Sequence, residues 1–285
     1  MTKLPQSQLI CGRSELELKK LPANSIDLIV TSPPYNIGKD YETVVPLEQY
    51  LESQEEILRE CFRVLKPTGS LCWQVGFTKE AGELIPLDAL FYPLIRGLGF
   101  RLKNRIVWTF GHGMHAQKRF SGRHETIMWF AKDIDGVYFN LDDVRVPQKY
   151  PGKRYYRGPK RGEYSGHPAG KNPGDVWDIP NVKSHHVEKT AHQCQFPIAL
   201  VQRIIRGLCP PGGVVLDPYS GVGTTSCAAV IEGRRSIGIE SDAGYVKIAQ
   251  ERVTSAQTGS LKFRPIEKPI QVPDPRDPNT TREGN

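Results

Sequence analysis

The sequence predicts an α/β fold built on a largely parallel sheet. Short apolar runs of strand length alternate with longer segments whose apolar residues follow three–four spacing. Two of the strand runs end directly in loops rich in Pro or Gly, as expected where parallel strands deliver a binding site. The 285 residues give a prior of about two folding units, and 38% hydrophobic residues supply a sizeable core. The net charge of +7 favours a polyanionic partner.

Residues 26–30 (IDLIV) read as a short buried strand that runs into TSPPYN. Residues 47–65 read as an amphipathic helix, ended by Pro67 and Gly69. Residues 71–75 form a second strand. Residues 84–98 read as a helix interrupted by Pro86 and Pro93. Residues 106–110 and 126–130 are strands that can pair. After Lys132 periodicity fades, and Gly, Pro, Tyr and basic residues accumulate as far as Lys171. Apolar order returns with DVWDIP. A helix follows over 197–208, with Pro197 suited to its first turn. A strand at 214–216 leads into DPYSGVGTT, and then come a helix at 222–232, a strand at 236–239 and a helix at 243–252. The polar, Pro-rich end is expected to be disordered.

Cys11, Cys61, Cys72, Cys194, Cys209 and Cys227 form no C-x-x-C pair, and four lie in apolar runs. They read as reduced, packed thiols rather than disulfides or metal ligands. The N-terminus has no apolar signal-peptide core and no run reaches 18 apolar residues, so the expected location is the cytoplasm, away from the membrane.

VVLDPYSGVGTT carries the first chemical signal. An apolar strand ends in Asp217, and a loop with Gly221 and Gly223 opens a helix. Glycines allow a tight turn and close approach of backbone N–H groups to a ligand. A second strand ends in Glu240, 19 residues after Gly221, near the spacing at which a carboxylate meets ribose hydroxyls. A dinucleotide fingerprint would place Gly or Ala at Ser226, and a phosphate-binding loop would need G-K-[ST]; neither is present. The acidic Asp217 disfavours a pyrophosphate and suits a ligand with a cationic amino group, such as S-adenosylmethionine.

The second signal is Ser32-Pro33-Pro34-Tyr35. Two prolines stiffen the loop, and neither has an N–H, so their carbonyls only accept hydrogen bonds. An exocyclic amino group needs acceptors for its hydrogens before its lone pair can attack a methyl. Ser32 and a proline carbonyl supply acceptors, and Tyr35 can stack on a base. If the strands before the two loops are neighbours, both loops face one cleft.

At these residues the chain resembles the DNA amino-methyltransferases in which the catalytic motif precedes the cofactor motif, the beta arrangement. SPPY resembles their catalytic tetrapeptide and DPYSGVGTT their cofactor motif, and the resemblance runs from Asp27 to about Val253. HQCQFPIALVQRII resembles a segment that closes over the cofactor, and GKNPGDVWDIP one typical of this branch. The resemblance implies a Rossmann-like S-adenosylmethionine-dependent methyltransferase fold. Its sheet has seven mostly parallel strands, with helices on both faces and an inserted target-recognition region. It implies S-adenosyl-L-methionine held by Asp217, Tyr219, Gly221, Gly223, Thr224, Thr225, Glu240, Gln195, Phe196 and Pro197. It also implies double-stranded DNA whose target base is flipped onto Ser32, Pro33, Pro34 and Tyr35. The organisation expected is a catalytic half over 1–132, a basic insert over 133–175, a cofactor half over 176–260 and a disordered tail over 261–285. Tyr219 stands where Phe is frequent in the family, and Val222 where a small residue is frequent. Ser as first tetrapeptide residue resembles the cytosine-N4 members; adenine-N6 members more often carry Asp. The resemblance admits a homodimer and a cognate restriction endonuclease acting on the same site.

Between Arg145 and Lys171 there are eight basic residues and one acid, Glu163, a formal +7 equal to that of the whole chain. Tyr150, Tyr155, Tyr156 and Tyr164 are interleaved. Cations meet phosphates, while aromatic rings and guanidinium groups meet bases. Lys149, Lys153, Arg154, Arg157, Lys160 and Arg161 are therefore the expected DNA contacts. A methyltransferase for RNA or small molecules would lack such an insert, and a dead DNA-binding module would carry a broken tetrapeptide or glycine loop.

Overall fold

A computed structural model describes residues 6–39, 42–111, 113 and 115–268. The elements, in chain order, are β1 Ser7–Cys11, α1 Ser14–Glu17, β2 Ile26–Thr31, α2 Leu47–Val64, β3 Leu65–Val75, β4 Phe77–Glu80, β5 Glu83–Pro86, α3 Leu87–Gly97, β6 Arg101–Thr109, β7 His124–Ala131, β8 Val176–Asp178, α4 Ile198–Leu208, β9 Val214–Asp217, α5 Thr224–Ile231, β10 Arg235–Glu240 and α6 Ala243–Gln257.

The main sheet has the order β1-β10-β9-β2-β3-β7-β6-β8. Every pairing is parallel except the two made by β7. The α/β class and the largely parallel sheet therefore hold. The count differs from the expected seven: DVWDIP forms a three-residue eighth strand on the free edge of β6, pairing Val107 with Val176. The strands at 106–110 and 126–130 do pair, antiparallel, as parts of β6 and β7.

β2 is buried at all six positions, which is why IDLIV shows no alternation. Its neighbours are β9 and β3. The chain leaves β9 through α5 toward β10 on one side, and leaves β2 through α2 toward β3 on the other. The order thus reverses between β9 and β2, and in an open sheet of this kind ligands bind outside the carboxyl ends at that switch point. Apolar clusters cover both faces: Leu28, Val30 and Val215 pack with α4 and α5, while Ile29, Leu71 and Leu216 pack with α2 and α3.

Four local expectations need correction. Pro67 and Gly69 do not lie beyond a helix end; they sit in a bulge of β3, where the register jumps from Ile26–Leu65 to Leu28–Ser70. Proline is tolerated there because no ladder donor is required. The segment 84–98 is a strand followed by a helix, with Pro86 as the helix N-cap and Pro93 inside it. The edge strand β1 has no apolar signature, since its SQLIC residues are mostly partly exposed. The tail is not disordered from 261: Leu261, Phe263 and Ile266 pack on the core, and Glu267 pairs with Arg206 at 2.8 Å. Residues 269–285, also expected to be disordered, lie outside the described residues. Among the described residues all six cysteines are free thiols, four of them buried, and no helix is long and apolar enough to cross a membrane.

Candidate active site

The carboxyl ends of β10, β9, β2 and β3 lie on one edge of the sheet, together with the amino end of antiparallel β7. They open into a cleft of about 510 Å³. Because β2 and β9 are neighbours, the tetrapeptide and the glycine loop face each other across it, and Ser32, Pro33, Pro34, Tyr35, Tyr219, Gly221, Thr224, Glu240, Gln195 and Phe196 all line it.

On the glycine-loop side, Gly221 and Gly223 have φ of 48° and 75°, the left-handed region in which side chains are strained. Space is short as well: a Cβ on Gly223 would stand 2.8 Å from that of Ala249, and one on Gly221 would meet the His192 ring at 3.2 Å. The Gly221 N–H donates to Glu240 Oε2 at 2.8 Å, and Glu240 Oε1 accepts from the Asp242 N–H at 2.8 Å. Glu240 is thereby aimed at the cleft with acceptor capacity left on both oxygens. His192, seated over Gly221 and 4.8 Å from the Tyr245 ring, has its pKa pushed down to about 4 by burial and is neutral at pH 7.

Asp217 occupies a different position from the one its strand-end location suggests. It is 1% exposed and lies behind the cleft wall. Oδ1 accepts from Thr31 Oγ1 at 2.6 Å and from the Tyr219 N–H at 3.1 Å, and Oδ2 accepts from Thr225 Oγ1 at 2.6 Å. Asp217 thus pins the end of β2 to the glycine loop and to the first turn of α5. Burial pushes its pKa up to about 6 against the lowering effect of these donors. Gly223, Thr225 and Pro197 also lie outside the cleft wall. Pro197 is the N-cap of α4, and Glu188 Oε2 accepts the Ile198 N–H there at 2.9 Å, placing an acid at a helix N-terminus.

The tetrapeptide side is braced from below. Tyr50 of α2 donates to the Pro34 carbonyl at 2.7 Å. Asn36 is left-handed at φ 58°, exchanges two hydrogen bonds with the Val45 backbone, and receives Thr78 Oγ1 on its carbonyl. With the Pro34 carbonyl engaged, the acceptors this loop offers the cleft are Ser32 Oγ and the Pro33 carbonyl.

Two side chains that the sequence did not single out complete this side. Gln74 of β3 and Glu125 of β7 face each other across paired strands and line the cleft with Ser32 and Tyr35. Ser32 Oγ donates to Tyr35 Oη at 3.1 Å, Tyr35 Oη donates to Glu125 Oε2 at 3.3 Å, and Gln74 Nε2 donates to Tyr35 Oη at 2.8 Å and also to Glu125 Oε2. Burial raises Glu125 to about 7, while burial and the adjacent carboxylate keep the Tyr35 phenol protonated.

The insert contrasts with this. Residues 149–164 are exposed throughout. A short hairpin forms where the Tyr155 N–H donates to Glu163 O and the Ser165 N–H to Lys153 O. Arg154 stacks on Tyr164 at 4.0 Å, Lys149 lies 5.6 Å from the Tyr150 ring, and Arg157 lies 5.7 Å from that of Tyr156. None of Lys149, Lys153, Arg154, Arg157, Lys160 and Arg161 has an ion-pair partner among the described residues.

The sheet order and the cleft at its switch point define the Rossmann-like class of S-adenosylmethionine-dependent methyltransferases. TTHA0409, a DNA modification methylase of Thermus thermophilus solved with S-adenosyl-L-methionine bound, superposes with a TM-score of 0.64 at 28% identity, over 89% of this chain and 95% of that one. A family model described as DNA methylase matches residues 26–251. The type II methyltransferase M.BglII of Bacillus subtilis is 50% identical over 235 residues, 82% of this chain but 65% of that protein, so the chain spans about two thirds of that relative's length. The DNA adenine methyltransferase YhdJ of Escherichia coli K12 is 35% identical over 87% of this chain and 83% of that protein. The chain belongs to the N6/N4 DNA methylase family.

Proposed function

We propose that the protein transfers a methyl group from S-adenosylmethionine to the N4 amino group of a cytosine flipped out of double-stranded DNA. The observation that carries this reading is the neutral, acceptor-rich Ser32-Pro33-Pro34-Tyr35 loop facing a glycine loop across one cleft. Ser32 as its first residue supports cytosine.

The cleft residues suit the cofactor. Glu240 offers carboxylate oxygens to ribose hydroxyls, the tight turn at Gly221 leaves room for close approach, and Phe196, Tyr219, Thr224 and Gln195 complete the wall. Asp217, Gly223 and Thr225 act one layer back by fixing the loop, and Pro197 by starting α4. Bound S-adenosylmethionine supplies an electrophilic methyl on a sulfonium. The protein's part is to hold the amino nitrogen in line with it, and such orientation alone is worth several orders of magnitude in rate. Ser32 Oγ and the Pro33 carbonyl accept the amino hydrogens, freeing the nitrogen lone pair from the ring, and Tyr35 stacks on the base. Lys149, Lys153, Arg154, Arg157, Lys160 and Arg161 hold the duplex, with the stacked Arg154 and Tyr164 available to bases. On this reading the protein works in the cytoplasm, with the host DNA. The type II designation of M.BglII supports a partner endonuclease for the same site.

The adenine-N6 reading shares this geometry and draws support from the name of YhdJ. Incubation with labelled cofactor and mixed-sequence DNA, followed by digestion and mass spectrometry, separates the two. N4-methylcytosine is expected. N6-methyladenine alone would move the protein to the second reading, and DNA left unlabelled would overturn both.

A further inference from the structure

Glu125 is an acid withdrawn from solvent at the cleft floor, without an ion-pair partner among the described residues. Burying a carboxylate without a counter-charge is costly, and the fold has no structural need to do so on a strand end. The groups that face it are Tyr35 from the loop after β2, Gln74 and the Gly76 backbone from β3 and its end, and Trp108, its register partner on β6; Cys194 and Tyr50 bear on Tyr35 one step further away. Gln74 is neutral and donates to both Tyr35 Oη and Glu125 Oε2, so it fixes their relative position without cancelling the charge.

The donors run in one direction, from Ser32 to Tyr35 to Glu125. Since Ser32 gives its own hydrogen to Tyr35, its lone pairs are turned to whatever occupies the cleft. We propose that Glu125 is the terminal proton acceptor of methyl transfer, reached from the target base through Ser32 and Tyr35. This rests on the function proposed above, for either base.

Atoms and electrons balance in this step. The amino nitrogen's lone pair forms the new N–C bond, the electron pair of the breaking C–S bond stays on sulfur, and the nitrogen is left with a surplus proton. That proton passes to Ser32 Oγ as the Ser32 hydrogen passes to Tyr35 Oη and the Tyr35 hydrogen to Glu125 Oε2. Ser32 and Tyr35 end as they began, and Glu125 ends as a neutral acid that returns its proton to water after the product leaves. A carboxyl raised to about 7 matches the task, being ionised in half or more of the molecules at neutral pH yet basic enough to keep the proton. Glu125 acts through two other groups and is a positioning and proton-holding residue; Ser32 alone touches the base.

The test is single-turnover methylation over a range of pH, with cofactor and DNA affinities measured alongside. The wild-type rate should rise with pH through about 7, because the relay needs the carboxylate. Glu125→Gln keeps the shape and the acceptor oxygen; it should lower the rate by about 100-fold, the scale of a lost general base, and abolish that rise while both affinities stay unchanged. Tyr35→Phe keeps the ring but breaks the chain, and it should lose the same pH-dependent arm; the double variant should be no slower than the slower single one. A readout independent of activity is the side-chain carboxyl NMR signal of Glu125. It should titrate near 7 in the wild type and higher in Tyr35→Phe, because the Tyr35 hydrogen bond favours the ionised form. Full rate with an unchanged pH profile in Glu125→Gln overturns the proposal, as does a Glu125 signal titrating in the ordinary carboxylate range. If Glu125→Gln does not fold, Tyr35→Phe and the wild-type titration decide. A wild type that leaves DNA unmethylated would instead count against the proposed function.

Discussion

The cleft and the insert use the same kinds of side chain in opposite ways. In the cleft wall the polar groups have partners already: Asp217 holds Thr31, Thr225 and the Tyr219 N–H, and Tyr35 sits among Ser32, Gln74 and Glu125. In the insert the cations stand exposed, resting on tyrosine faces. Chemistry needs atoms held within fractions of an ångström, and only saturated, buried networks give that. Recognition of a polyanion needs the reverse, because cations already paired with carboxylates would have to break those pairs to bind phosphate. The partner that completes the insert is absent from the chain, while the partners that complete the cleft wall are built into it.

Neutralising Lys153, Arg154, Arg157, Lys160 and Arg161 together is the largest perturbation of this contrast. If about four cations touch phosphates, log DNA affinity falls against log salt with a slope of roughly −3.6 in the wild type. The neutralised protein should lose most of that slope and bind DNA orders of magnitude more weakly at low salt, with cofactor affinity intact; filter binding across a salt series reads both. An unchanged slope in a folded protein would show that the insert does not hold the duplex.

Asp217→Ala strikes the buried side. It strands two hydroxyls and one N–H, for which about 2–4 kcal/mol of lost stability is expected. Denaturant unfolding measures this, and the wild-type acid adds a sign to check. Its pKa is raised on folding, from 3.8 to about 6, so the native state binds the proton more tightly than the unfolded one. Its titration therefore favours the fold at low pH and loses that contribution as pH rises from about 4 to about 6. The difference in stability between wild type and Asp217→Ala should shrink across that window.

Glu240→Ala should have the smallest effect. The fold should be kept, and cofactor affinity should fall by about 1–3 kcal/mol through loss of a polar partner. Calorimetry showing equal affinities would remove Glu240 from the cofactor site.

The two regions also differed in what the sequence disclosed. The glycine loop and the tetrapeptide were legible because each requirement sits in consecutive residues: left-handed turns at Gly221 and Gly223, and a stiff acceptor loop at Pro33 and Pro34. Their meeting could be anticipated from strand-end logic, and β2 does pair with β9. Glu125 and Gln74 were not legible. They lie 51 residues apart on antiparallel strands, and HETIMWF reads as an ordinary strand until β3 brings Gln74 alongside. Asp217 was misplaced for a related reason: a strand end marks the edge of a cleft, but which way its side chain turns depends on Thr31, 186 residues away. The bulge at Pro67 and Gly69 looked like a helix stop because only the register of β2 reveals it as strand.

The three-residue strand β8 fixes where the insert ends. The insert leaves the sheet after β7 and re-enters it at β8, and both strands pair with β6. Asn140 and Val144 fasten its first part to α4, where the Asn140 N–H donates to Gly207 O at 2.8 Å. Its ends are thus set by the sheet, whatever lies between them. Doubling the length of such a closed excursion costs only about 0.6 kcal/mol in chain entropy. The architecture therefore works like a fixed socket: the surface that meets DNA can be rewritten or resized with little cost to the frame that performs the chemistry.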